Sequence, residues 1–241
     1  MTNAPSKQPE QQAPPVQKLQ VRYAKRGRAR FTSHRDFSRA FERALRRAGV
    51  PMAYSSGYNP HQRVSFANAS PTGAATEAEY LEIGLREVAD PEAVRVALDA
   101  ALPDGLHVLE VVPAPPGGIA DRLTASAWQI GVTGVPREVL DRAVAALLAA
   151  EVVEVQRMTK TGMRTFDARE AIIGLEVADD ATLRLVSRHG TPLVRPDDVL
   201  QALGQVEEGF VPTDPPLLTR LAQGEWDGTR IVGPFEARPS D

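Results

Sequence analysis

The hydrophobic period of residues 18–112 changes in an order that few folds can accommodate. Leu19, Val21 and Tyr23 alternate with Gln20, Arg22 and Ala24, the period of two expected of a half-buried strand. Gly27 then permits a turn. Thr32 or Ser33 can cap a helix, with Asp36 three residues beyond Ser33 as a short-acid capping box. Phe37, Ala40, Phe41, Ala44, Leu45 and Ala48 follow at helical spacing, and Gly49 with Pro51 ends the helix. Val64–Ala67 reads as a short strand, and Ala78–Leu85 alternates again. Asp90-Pro91 opens a second helix, Pro103 and Gly105 close it, and Leu106–Val112 is a strand. The order β-α-β-β-α-β is the split βαβ, ferredoxin-like pattern.

Pro113–Gly118 (PAPPGG) is a linker signal, and a second round follows it. Thr124–Val132 alternates and Pro136–Ala149 is helical. Val152–Met158 and Arg164–Arg169 read as strands about a Lys160-Thr161-Gly162 turn. Ile172–Val177 and Thr182–Ser187 pair around Asp179-Asp180, Pro196–Leu203 is a short helix, and Leu217–Leu221 is a closing strand. The expected fold class is α+β. It consists of two tandem ferredoxin-like halves with antiparallel sheets, residues 18–113 and a decorated 123–223, joined by a linker over 114–122. Residues 1–17, Pro/Gln-rich with almost no apolar surface, read as a disordered leader, and 224–241 as a tail. The alternative is a single mixed α+β domain with one larger sheet.

Charge is distributed unevenly along this pattern. The net charge of −3 conceals a window, residues 18–47, with 11 Lys/Arg against Asp36 and Glu42. That window is +9 and the remaining chain −12, which suggests a local anionic partner on an otherwise acidic body. The chain contains no Cys, which excludes disulfides, thiolate zinc and Cys-ligated iron–sulfur clusters. No apolar run approaches a membrane span and no signal peptide opens the chain, so a cytoplasmic protein is expected.

Three constellations offer chemistry. Arg35, Arg39, Arg43 and Arg46 fall off the apolar stripe of the first helix, and Arg22 and Arg30 lie close by in sequence. Clustered guanidinium groups suit phosphate, and Tyr23, Phe31, Tyr54 and Tyr58 offer rings for base stacking. The alternatives are docking of an acidic protein and simple solvation. His34 stands at a helix start, where the dipole disfavours imidazolium, so it is a neutral base, a phosphate-oxygen donor or a structural residue that hydrogen-bonds a neighbouring loop. The loop Gly57–Arg63 leaves Asn59, His61 and Arg63 to project, or is an ordinary tight turn. If Val64–Ala67 lay beside the first strand, this loop could approach His34. Glu77 and Glu79 share a strand face, but no third ligand stands at a fixed spacing, so neither a metal nor a cofactor is expected. The chain has no P-loop, G-x-G-x-x-G, H-E-x-x-H or G-x-S-x-G motif.

Arg30-Phe31-Thr32-Ser33-His34-Arg35-Asp36, the segment FERALRRAGVPMAYSSGYNPHQRVSFA and Glu77-Ala78-Glu79-Tyr80-Leu81 resemble the radical SAM-linked protein family. That family is a domain of unknown function fused to, or encoded beside, B12-binding-type radical SAM proteins. The resemblance covers residues 18–205, is dense from Arg30 to Leu85 and looser after Leu123, where Asp167 and Arg169 match a D-x-R segment. It implies a partner but names no reaction. A radical SAM enzyme needs a C-x3-C-x2-C run, and this chain has neither that nor the D-x-H-x-x-G motif of cobalamin binding. The resemblance therefore implies a companion to a separately encoded radical SAM protein. Tandem ferredoxin-like domains with an early His also resemble CRISPR repeat-processing endoribonucleases in architecture, a likeness of fold and not of motif.

Three functions fit these features. The first is a non-catalytic accessory protein that binds RNA, tRNA or rRNA, through Arg22, Arg30, Arg35, Arg39, Arg43, Arg46, Tyr58, Asn59, His61 and Arg63. The second is a metal-independent endoribonuclease using His34 with His61 or Arg63. The third is a docking module for the radical SAM partner through the same basic face.

Overall fold

The structure, a computed structural model, describes residues 11–159 and 162–236. The chain divides into two compact units, residues 1–69 with 79–119 and residues 70–78 with 120–241.

The first unit contains β1 (Gln17–Lys25), a 3₁₀ segment (Gly27–Phe31), α1 (His34–Arg47), β2 (Val64–Ala67), the Glu79–Leu85 part of β3 (Ala75–Leu85), α2 (Pro91–Ala101) and β4 (Leu106–Pro113). Its strand order is β4-β1-β3-β2, with β1/β4 and β2/β3 antiparallel. That is the order expected of a ferredoxin-like half, although β2 lies beside β3 and not beside β1.

Helix α1 begins as its sequence dictates. The Ser33 hydroxyl accepts the Asp36 amide at 3.2 Å and donates to the Asp36 carboxylate at 2.7 Å. Gly49, at φ +67°, ends the helix with a Schellman pair: Val50 N–H donates to the Leu45 carbonyl and Gly49 N–H to that of Arg46. Phe37, Phe41, Ala44 and Leu45 form its buried face. Phe37 stacks on Tyr23 of β1 with centroids 4.4 Å apart, and both Phe37 and Phe41 meet Phe66 of β2 edge-on. These rings fix the rotation of α1 about its axis, and with it the direction its opposite face points. Asp90 caps α2 by accepting the Ala93 amide at 3.1 Å, with Pro91 in the first turn.

The second unit contains β5 (Ala125–Gly131), α3 (Arg137–Ala149), β6 (Glu154–Thr159), β7 (Gly162–Asp167), β8 (Ile172–Asp179), β9 (Thr182–Arg188), α4 (Pro196–Val206), β10 (Leu217–Trp226) and β11 (Ile231–Val232). Strand order β10-β5-β9-β8 repeats the first unit's plan, with the β6–β7 hairpin inserted between α3 and β8. Leu140, Leu147, Ile130, Leu183, Leu185 and Leu203 are among its fully buried core residues.

The structure departs from the sequence reading in several places. Residues 11–17 of the supposed leader are placed: Val16 N–H donates to the Leu85 carbonyl at 2.8 Å, and Gln17 already belongs to β1. Residues 1–10, the Lys160-Thr161 turn and residues 237–241 lie outside the described residues. The tail assigned from residue 224 contains the end of β10 and all of β11, which pairs Val232 with Glu225. Ser70–Ala78 belongs to the second unit, where Ala75 and Thr76 pair in parallel with Thr219 and Arg220 of β10. Strand β1 is buried on both faces, because Gln20, Ala24 and Lys25 are buried along with Leu19, Val21 and Tyr23.

Candidate nucleic-acid interface

Helix geometry places the arginines of α1 together. At 3.6 residues per turn, Arg35, Arg39, Arg43 and Arg46 fall within an arc of about 80°, opposite Phe37, Phe41 and Ala44. The stripe runs about 16 Å along the axis at 1.5 Å per residue. All four side chains are exposed, and none makes a hydrogen bond or an ion pair with the described residues. Arg28, in the 3₁₀ segment just before the helix, is in the same condition.

Other arginines of the first unit are engaged. Arg95 forms a bidentate pair with Glu92 at 2.7 and 2.8 Å, which holds the Glu92 carboxyl below its usual range. Arg86 pairs with Glu87 at 3.1 Å. The Arg47 guanidinium donates to the Ala101 carbonyl at 3.0 Å, and Arg63 Nε to the Tyr54 carbonyl at 3.1 Å. The basic window is trimmed in the same way. Lys18 pairs with Glu82 at 3.0 Å, Arg22 lies 4.0 Å from Glu110, and Lys25 is buried.

The α1 stripe is therefore left as uncompensated charge, and at a cost. Like charges three or four residues apart on a helix destabilise it by about 0.2–0.5 kcal/mol per pair. Arg35 also stands in the first turn of α1, where the dipole opposes a cation. Glu42 borders the stripe but reaches none of its guanidinium groups to form an ion pair.

The rings named from sequence separate into two groups. Tyr23 is 2% exposed and is spent on the core. Phe31 is 66% exposed, with the Arg30 guanidinium 5.4 Å from its ring centroid, and Tyr58 is 74% exposed. The loop holding Tyr58 and Asn59 is a tight tongue. Ser55 Oγ accepts the His61 amide at 3.0 Å, and Tyr54 bridges to Gln62. His34 is exposed and its ring meets Phe66 edge-on at 4.9 Å. Among the described residues no hydrogen bond joins His34 to His61 or Arg63.

Asp167 and Arg169 serve as architecture. The Asp167 carboxylate accepts the amides of Val153 and Arg169 at 2.9 Å and of Glu170 at 3.2 Å. The Arg169 guanidinium donates to the carbonyls of Leu148 and Ile172, closing the end of α3 onto the strand that follows the hairpin. A cavity of about 190 Å³ lies beside Asp167, Glu170 and Arg188, and the Asp167 carboxylate facing it is already saturated by backbone.

One constellation escaped the sequence reading. His189 Nδ1 lies 2.6 Å from the Leu123 carbonyl and Nε2 lies 2.8 Å from Ser126 Oγ. Donation from Nδ1 to the carbonyl leaves Nε2 to accept from the hydroxyl. Burial, ahead of the nearby Arg220 charge, pushes the imidazole below its usual pKa. Ser126 is 0% exposed, so its hydroxyl is withheld from solvent and its bond to the half-buried His189 acts as an internal clasp. The two residues stand 63 positions apart, Ser126 in β5 and His189 just past the end of β9, so no local motif announces them. Among the described residues no group of three His, Asp or Glu is placed to hold a metal, and no helix is long and apolar enough to cross a membrane.

A family described as "Uncharacterized protein conserved in bacteria (DUF2344)" matches residues 18–196, about three-quarters of the chain. No curated protein matches it.

Proposed function

The chain belongs to this family of uncharacterized proteins conserved in bacteria, and from that premise and its own residues we propose that it is a non-catalytic accessory protein that binds RNA along α1. The observation that carries this reading is the stripe Arg35, Arg39, Arg43 and Arg46, exposed and without ion-pair partners among the described residues, on a helix whose other face is locked by aromatic packing. A polyphosphate backbone relieves the repulsion that the isolated helix must bear.

We further propose that the RNA is delivered to a radical SAM protein. The resemblance of Arg30–Asp36 and Glu77–Leu81 to the radical SAM-linked family supports this. An acidic protein on the same stripe is the competing reading.

Binding of labelled single-stranded RNA across a salt series tests the proposal. Four phosphate contacts give a slope of log K against log[salt] of about −2.8, or about a fifty-fold loss between 50 and 200 mM. Reversal of Arg39, Arg43 and Arg46 to Glu should abolish that binding. Weak, salt-independent affinity that survives the triple reversal refutes the reading. Capture of an acidic protein by the wild type, lost in the triple variant while RNA binding is unchanged, assigns the stripe to a protein instead.

A further inference from the structure

We infer that the ligand of this face is single-stranded, with one unpaired base seated on Phe31 at the head of the arginine stripe. This rests on the RNA-binding reading above and narrows it. The 3₁₀ segment Gly27–Phe31 buries none of its residues. In a 3₁₀ helix side chains at i and i+3 eclipse, so Arg28 and Phe31 rise on one side. Phe31 gives nothing to the core, and its ring is two-thirds exposed.

A lone exposed Phe is ordinary. What distinguishes Phe31 is its company. The Arg30 guanidinium lies 5.4 Å from its centroid, within the range of a cation–π contact, so a positive charge stands against the ring. Arg35 stands four positions after Phe31, at most about 14 Å of chain. A base on the ring would therefore leave its own backbone running onto Arg35 and then along Arg39, Arg43 and Arg46. The segment is anchored from below, because Arg26 N–H donates to the Gly105 carbonyl at 2.8 Å and Ala29 packs against Gly105. Gly105 is needed there: its φ is +83°, and a Cβ would stand 2.7 Å from the Arg26 carbonyl oxygen.

A guanidinium-backed ring beside a line of cations is the combination that nucleic-acid-binding proteins use for unpaired strands, since every base has a face to stack. A duplex keeps its bases stacked on each other and offers the ring nothing. The platform therefore discriminates by strandedness, whereas the stripe senses only phosphate.

The test compares an unstructured RNA of about twelve nucleotides with a blunt duplex of similar length, using full-length protein and the Phe31→Ala and Phe31→Trp variants. Loss of one base stack lowers affinity about five- to hundred-fold. Phe31→Ala should show that loss for the single strand only, with the salt slope unchanged because no charge is removed. Phe31→Trp should restore binding, and its fluorescence should be quenched by the single strand. Unchanged single-strand affinity in Phe31→Ala, or an equal loss for the duplex, overturns the inference while the stripe reading stands. If the wild type binds neither RNA, the stripe reading falls and takes this inference with it.

Discussion

The uncompensated stripe predicts that one substitution should strengthen the fold and weaken the function together. Arg43 has Arg39 one turn before it and Arg46 and Arg47 one turn after it on α1. Each like-charge relation costs about 0.2–0.5 kcal/mol, and an opposite pair gains a similar amount. Arg43→Glu converts three repulsions into attractions, a swing of about 1–3 kcal/mol by that scale. A carboxylate in the C-terminal half of the helix opposes the dipole, offsetting about 0.3–1 kcal/mol. A net gain of about 1 kcal/mol corresponds to about 4–8 °C in Tm for a unit of this size. The assay is built into the sequence. Tyr23, Tyr54, Tyr58 and Tyr80 are the four tyrosines and all lie in the first unit, whereas Trp128 and Trp226, the two tryptophans, lie in the second. Thermal melting followed by tyrosine near-UV signal should therefore move upward. The gain should shrink in 1 M salt, where the Debye length falls to about 3 Å. RNA affinity of the same variant should fall. A Tm that drops, or that rises equally in high salt, would falsify the claim that α1 carries electrostatic strain.

Two further outcomes follow from the second unit. Asp167→Ala strands the buried Val153 amide and the half-buried Arg169 amide, at a cost of about 2–4 kcal/mol, while the exposed Glu170 amide returns to water. The tryptophan-monitored urea midpoint should drop by about 1–2 M with RNA binding intact at low denaturant, and an unmoved midpoint contradicts the architectural role. His189 is held neutral by burial, so its contribution to stability is fully present above its unfolded pKa, near 6.5, and is lost as pH falls through the depressed folded value. Urea midpoints recorded from pH 7.5 to 5 should decline, and His189→Gln should flatten that decline. An equal decline in the variant places the titration elsewhere.

Much of the backbone plan is legible in the residues because each element carries its own punctuation. Asp90-Pro91, Ser33 with Asp36, and Gly49 act through local hydrogen bonds that sequence spacing reveals. Elements whose limits depend on distant chain are harder to read. Gly224 looks like a strand terminator. It is glycine because the backbone at Val232 of β11 passes so close that a side chain would collide with it, and β10 continues to Trp226. Tyr23 reads as an available ring from its neighbours in sequence, and only the approach of Phe37 removes it from the surface. The arginine stripe is visible from helical spacing alone. That Arg47 and Arg63 are occupied while Arg43 is not depends on which carbonyls lie within reach.

The chain passes between its two compact units after Ala69, after Ala78 and after Ile119. The nine residues of the middle excursion supply Ala74 to the second unit's core, Thr76 to the register with Arg220, and the Ala78 carbonyl to Gln223 at 3.2 Å. The repeated β-α-β-β-α-β plan is therefore not modular. A single scission near Ile119 would leave the downstream piece short of a stretch of sheet and the upstream piece trailing an unclaimed one. The second copy of the plan is therefore completed by residues that lie, in sequence, inside the first.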